Sequence, residues 1–175
     1  MTESGEGART KSVGKGMMLA AWLLLLAVLA LSFSTLLERQ QNPNRNPRGE
    51  VDVQGVRTVV LKRNRAGHYL ANGRINGRPT TFLLDTGATD VAVPEHLARR
   101  LGLPRGTAFQ SRTANGVVTA WRTRLDEVSI ATVMLKDVRA SILPSMTGNE
   151  VLLGMSFLKQ LELLQRGDSL TLRQY

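Results

Sequence analysis

Phe82-Leu83-Leu84 runs straight into Asp85-Thr86-Gly87-Ala88, and this junction constrains the chain more than any other stretch. Buried carboxylates are rare, so an acid at the end of an apolar strand needs a reason. The small residues behind it imply a tight turn that leaves the acid at the strand end, with backbone close by. A catalytic carboxylate can be presented in that way. A bare Asp-[Ser/Thr]-Gly tripeptide arises by accident in roughly one chain in twenty-five of this size at average composition. The apolar run before it and Ala88 after it lower that rate to about one in several hundred.

What surrounds the junction reads as one β domain with appendages. The 175 residues suffice for one domain of ordinary size. Frequent glycine (16 residues) and scarce aromatics (5%) fit a turn-rich β protein. The absence of Cys excludes disulfides, Cys-based zinc sites and thiol catalysis. A net charge of +9 permits nucleic acid or anionic lipid as a partner. The arginines are scattered, however, without aromatic interleaving. They read as a solvated basic surface, and no nucleic acid is expected. His68 and His96 lack partners at metal-ligand spacing, so neither a metal nor another cofactor is expected. The glycines form no phosphate loop, and Gly154-Met155-Ser156-Phe157 lacks the second Gly of a nucleophilic-serine elbow.

Residues 1–16 read as a short polar tail on the cytoplasmic side. From Met17 to Leu37 no residue is charged, and about 20 such residues span a bilayer as a helix. A signal peptide cut after Ser32 is the alternative, but the length of the run favours a signal anchor over 17–37. Flanking charges balance: Arg9, Lys11 and Lys15 before the run, Arg39, Arg45 and Arg48 after it. A short leading tail usually stays inside, which puts the C-terminal part outside. Residues 38–55 read as a flexible linker, because Gln40–Gly49 offers no apolar residue to pack.

The domain is expected over 56–175. About nine strands are expected, drawn from Val56–Lys62, His68–Ile75, Thr80–Leu84, Asp90–Val93, Phe109–Thr113, Val117–Arg124, Val128–Ala131, Val133–Leu135, Val138–Leu143 and Ser169–Tyr175, and Val151–Gly154 is a second apolar run ending in Gly, like the first but without an acid. Asn76-Gly77 is a two-residue hairpin signal, and Ala114-Asn115-Gly116 marks a second tip. Two short helices are expected, over Pro94–Leu103 and Ser156–Leu164.

Amide hydrolysis by carboxylates needs an acid and a base together. Two carboxyls at hydrogen-bond distance share one proton, because like charges that close cannot both ionise. One then activates water while the other protonates the carbonyl oxygen. This chain has one Asp-Thr-Gly, and Asp168-Ser169-Leu170 lacks the Gly. The second acid must therefore come from a second chain across a two-fold axis.

These features resemble the retropepsin-like, single-lobe aspartic proteases, and most closely their membrane-anchored bacterial relatives. The resemblance is carried by the Asp85-Thr86-Gly87-Ala88 junction, the later Leu152-Leu153-Gly154 followed by a helix, and the Gly-containing hairpin between them. It implies an all-β acid-protease barrel with one or two short helices, preceded by a transmembrane helix. It implies a homodimeric aspartic endopeptidase acting on peptide or protein substrates at the bacterial inner membrane, with its domain on the periplasmic side. Asp85 would be the catalytic acid. Thr86 would hydrogen-bond across the dimer, and Gly87 and Ala88 would complete the active loop. Leu152, Leu153 and Gly154 would support that loop from beneath. Thr113, Ala114, Asn115 and Gly116 would form a flap closing over the peptide. Trp121, on the return arm, reads equally as core packing. A catalytically silent peptide-binding or dimerisation domain of the same fold is the rival reading, and a basic surface for anionic lipid or polymer a second.

Overall fold

The uncharged run forms the middle of α1, Glu6–Gln41, in a computed structural model that describes residues 6–113 and 116–175. Within α1, Gly16–Phe33 is long and apolar enough to cross a membrane. Its large side chains, Trp22, Leu24 and Leu31 among them, are exposed. A helix that is apolar all round has no single stripe to bury against a core, which suits a membrane anchor or a signal sequence. The chain divides into two units, 1–40 and 41–175.

Among the described residues the second unit has eleven strands, β1 (Gly49–Val51), β2 (Arg57–Lys62), β3 (Leu70–Ile75), β4 (Arg78–Leu84), β5 (Val91–Pro94), β6 (Ala108–Thr113), β7 (Gly116–Ile130), β8 (Val133–Leu143), β9 (Glu150–Leu153), β10 (Glu162–Arg166) and β11 (Ser169–Gln174). Two short helices, α2 (Glu95–Leu101) and α3 (Met155–Leu158), follow β5 and β9. The larger sheet runs β3-β4-β9-β5-β8-β7-β6. Arg74↔Ser129 and Ile75↔Val128 pair β3 back to β7, so six strands close into a barrel and β6 extends from it as a hairpin arm. Closure leaves few open edges. Phe82, Ile75, Leu125, Ile130, Leu153 and Phe157 fill the interior and are fully buried. The smaller sheet runs β1-β2-β11-β10 and turns Val59, Leu61 and Leu172 into the same core.

The β3–β4 hairpin turns at Asn76 and Gly77, with φ of 49° and 75°, the positive values a tight two-residue hairpin requires. Three expectations need correction. Val128–Ala131 is no separate strand, since β7 continues through Ile130. Val133–Leu135 and Val138–Leu143 are likewise one strand, β8. The ladder runs on across Glu127↔Lys136 and Leu125↔Val138, and pairing along the whole edge outweighs the polar residues at Lys136-Asp137. The helix expected over Ser156–Leu164 stops at Leu158. Glu162–Arg166 is instead drawn into a hairpin with β11, which places Leu163 against the core.

The stretch expected as a linker, 38–55, also differs. Asn42 and Asn44 are buried, and β1 pairs with β2. The Asn44 side chain donates to the carbonyls of Lys62 and Leu70 at 2.9 and 2.6 Å and accepts from the Lys62 N–H at 2.7 Å. Asn42 donates to the Asn72 side chain at 2.9 Å, and Thr81 donates to the same oxygen at 3.0 Å. Polar side chains are tolerated inside when their donors and acceptors are matched.

Candidate active site

β4 delivers Asp85, and β9 fixes where it stops. The two strands run parallel, with Leu84 opposite Leu153. The Leu153 carbonyl accepts the Asp85 N–H at 3.2 Å, and the Tyr69 carbonyl accepts the Leu84 N–H at 3.0 Å. Past this point the chain turns sharply. The Gly87 N–H donates to Asp85 Oδ1 at 2.9 Å, and the Ala88 N–H donates to the Asp85 carbonyl at 3.3 Å. A carboxylate that accepts its own loop's N–H is held in one orientation. Asp85 is half-buried, while Thr86 and Gly87 are exposed.

The second apolar run lies against the loop. Leu152 stands opposite Ala92 of β5, so β9 passes between β4 and β5. At Gly154 a Cβ would meet the carbonyl oxygens of Asp90 and Ala88 at 2.3 and 2.6 Å, so only glycine fits. From there Met155 and Ser156 donate their N–H groups to the Ala88 and Thr89 carbonyls at 2.8 and 2.9 Å. The segment from Asp85 to Thr89 is thus held from behind by backbone hydrogen bonds at residues 153, 155 and 156, with Gly154 packed close between them.

Sequence reasoning missed two contributors. In the sequence Ser156 reads as the start of a helix and fails the pattern of a nucleophilic serine. It is buried, accepts the Val91 N–H at 3.0 Å and donates to the Arg139 carbonyl at 2.8 Å, tying α3 to β5 and β8. Asp90, at the entry to β5, sits 3.3 Å from an Arg139 guanidinium nitrogen. In the sequence Asp90 reads as the start of the strand over Asp90–Val93, five residues after Asp85. A cleft of about 660 Å³ opens beside this pair, lined by Asp90, Arg105, Arg122, Thr123 and Arg139 among others.

Thr113 and Gly116 end the two arms of the β6–β7 hairpin. Thr113 Oγ1 donates to the Gly116 carbonyl at 2.9 Å, and Gly116 has φ of 103°. Ala114 and Asn115 lie outside the described residues. Trp121 is half-buried against the core, and the Arg105 guanidinium sits 4.5 Å above its ring. Arg122 stacks on Phe109 at 4.9 Å. Among the described residues no group of three His, Cys, Asp or Glu could hold a metal ion.

This arrangement has relatives. Residues 71–160 match the family described as "gag-polyprotein putative aspartyl protease". An uncharacterized protein in the cobV 5' region of a Sinorhizobium species is 32% identical over 97% of this chain and 74% of its own length. An uncharacterized protein of Rickettsia prowazekii (strain Madrid E) is 30% identical over 60% of this chain and 46% of its own. The crystal structure of a retropepsin-like aspartic protease from Rickettsia conorii superposes with a TM-score of 0.58 at 28% identity, covering 74% of this chain and 96% of that one. The strand-end Asp-Thr-Gly turn, braced by a second apolar strand inside a closed barrel, is therefore that of a family: the chain belongs to the retropepsin-like aspartyl proteases.

Proposed function

We propose that the chain is an aspartic endopeptidase whose working form is a homodimer anchored to a membrane. The observation that carries this reading is Asp85 itself, half-buried at the end of an apolar strand and oriented by its own loop, with one such motif per chain.

In the dimer the two Asp85 carboxyls share one proton. The ionised one takes a proton from water, whose oxygen bonds to the peptide carbonyl carbon. The protonated one gives its proton to the carbonyl oxygen. Collapse of the tetrahedral species breaks the C–N bond, and the amine leaves with a proton. Thr86, exposed beside Asp85, would bond across the two-fold axis and hold the loops together. Gly87 would let substrate backbone approach. The β6–β7 hairpin would close over an extended peptide, bound by strand-like main-chain bonds, and exclude water. The 17–37 run would remain as an anchor in the bacterial inner membrane, with the domain on the periplasmic side.

The test is cleavage of a peptide library by the full chain in detergent, with and without pepstatin. Asp85→Asn is expected to abolish cleavage while leaving the fold intact. Cleavage that survives Asp85→Asn would refute the enzyme reading. A folded dimer that cuts nothing would support a peptide-binding module of the same fold.

A further inference from the structure

We infer that the end of the β domain at which the chain enters is a docking surface for anionic phospholipid headgroups. The inference rests on the membrane-anchored reading above and adds a second hold on the same bilayer. The entering chain has no slack there. The Asn64 side chain donates to the Gln41 carbonyl at 2.9 Å, and Asn44 is bonded to Lys62 and Leu70. Asn44 also forms a bridge with Ala71. Leu37 closes the uncharged run, and four residues take the chain from there to Gln41. Four residues reach at most about 14 Å even when fully extended. A headgroup layer is itself roughly 5–8 Å deep, so the length of the chain alone keeps this end close to it.

The charge at this end is one-sided. The segments that meet there, 41–46, 62–69 and 165–169, hold Arg45, Lys62, Arg63, Arg65 and Arg166 and the single acid Asp168, all of them exposed. The Arg63 N–H donates to the Asp168 carbonyl at 2.8 Å, which sets the β10–β11 turn against the β2–β3 turn. The Arg63 guanidinium pairs with the Asp168 carboxylate. Lys62, Arg65 and Arg166 make no ion pair among the described residues. The other end of the same sheet carries Glu50, Asp52 and Glu162 beside Arg57 and Arg173. Charge is thus divided along the strands, and the cationic surplus lies where the chain arrives from the uncharged run.

Such a surplus suits lipid phosphates. An anionic bilayer attracts Lys and Arg across about one Debye length, 8–10 Å. Exposed side chains without a carboxylate partner meet a phosphate and give up no ion pair. The two turns, Asn64-Arg65-Ala66-Gly67 and Arg166-Gly167-Asp168, carry no large apolar residue, so the contact is with headgroups and not with acyl chains. β3 runs away from this end and β4 returns to it, with Leu70 opposite Leu83. Asp85 therefore lies at the docked end, and docking sets its height above the bilayer.

The chain has no cysteine, so Ala66→Cys, in the exposed β2–β3 turn, gives one labelling site. Lys136→Cys gives a reference at the other end of β3, where Asn76 donates to the Glu127 carbonyl and Glu127 pairs with Lys136. Each full-length variant, carrying a fluorophore, is reconstituted in phosphatidylcholine vesicles that contain a nitroxide-headgroup lipid, with or without phosphatidylglycerol. Phosphatidylglycerol should increase quenching at Ala66→Cys and not at Lys136→Cys, and high salt should reverse the increase. Lys62→Gln, Arg65→Gln and Arg166→Gln should each weaken the docked state about fivefold, and together abolish the increase. Unfolding would instead alter quenching at both labels. An Ala66→Cys signal blind to phosphatidylglycerol, or an increase that survives the triple replacement, overturns the surface. Reversal by inorganic phosphate at matched ionic strength assigns these residues to free phosphate and overturns it too. Flotation separates docking from anchoring. A chain that floats with neutral vesicles in high salt and ignores phosphatidylglycerol keeps its anchor and loses the surface. One that floats only with phosphatidylglycerol vesicles, through these three residues, does the reverse.

Discussion

Asp85 is positioned by backbone, and so the residues that matter most around it are those whose side chains must be absent or small. Gly154 has carbonyl oxygens within 2.6 Å of where a Cβ would stand. Gly154→Ala must push the Ala88–Asp90 backbone away, at a cost of about 1–3 kcal/mol for overpacking. The expected result is a lower urea midpoint together with a fall in peptide cleavage, because the displaced segment is the active loop. Ser156→Ala strands the Val91 N–H and leaves the Arg139 carbonyl one donor short, an expected loss of about 1–3 kcal/mol in chemical denaturation. A third prediction concerns acid. The Arg124 guanidinium, hydrogen-bonded to Asp137 at 2.5 and 2.6 Å, holds the Asp137 carboxyl below its ordinary range. A depressed folded-state value stabilises the fold above the unfolded carboxyl's range and loses that contribution as pH falls through the folded one. Asp137→Asn should therefore flatten the acid limb of a stability-against-pH curve slightly. The difference should shrink in high salt, since the pair is exposed.

At the scale of elements, the asparagines after α1 are the least expected feature. Asn44 joins the end of β2 to the start of β3, and Asn42 extends the network through Asn72 to Thr81 of β4, the strand that ends at Asp85. Asn44→Ala leaves the Lys62 N–H and two carbonyls without their partner. It should lower stability by about 1–3 kcal/mol, measured by thermal or urea unfolding. A solvated linker would give no change. Nothing local in Asn42-Pro43-Asn44 reveals this, because the partners lie 18 to 30 residues away. The β3–β4 hairpin and Asp85 were legible for the opposite reason: Asn76-Gly77 and Leu84-Asp85-Thr86-Gly87 carry their geometry in adjacent residues. The end of α3 was not. Residues 159–165 have good helix formers, and only the ladder with β11 makes Glu162–Arg166 a strand. Ser156 was hidden in the same way, its partners Val91 and Arg139 lying 65 and 17 residues distant.

For the molecule as a whole, the proposed reaction needs two acids per site where each chain carries one Asp-Thr-Gly. The barrel, its family and the braced Asp85 loop describe half of such a site. If the apolar helix holds copies in one membrane, their effective concentration rises and a weak interface suffices. The most direct measurement mixes the wild-type chain with Asp85→Asn at constant total protein in micelles and follows peptide cleavage. A site shared by two chains predicts activity falling with the square of the wild-type fraction, to about one quarter at equal mixing. A line falling in simple proportion, to about one half, would mean that each chain cuts alone and would contradict the account.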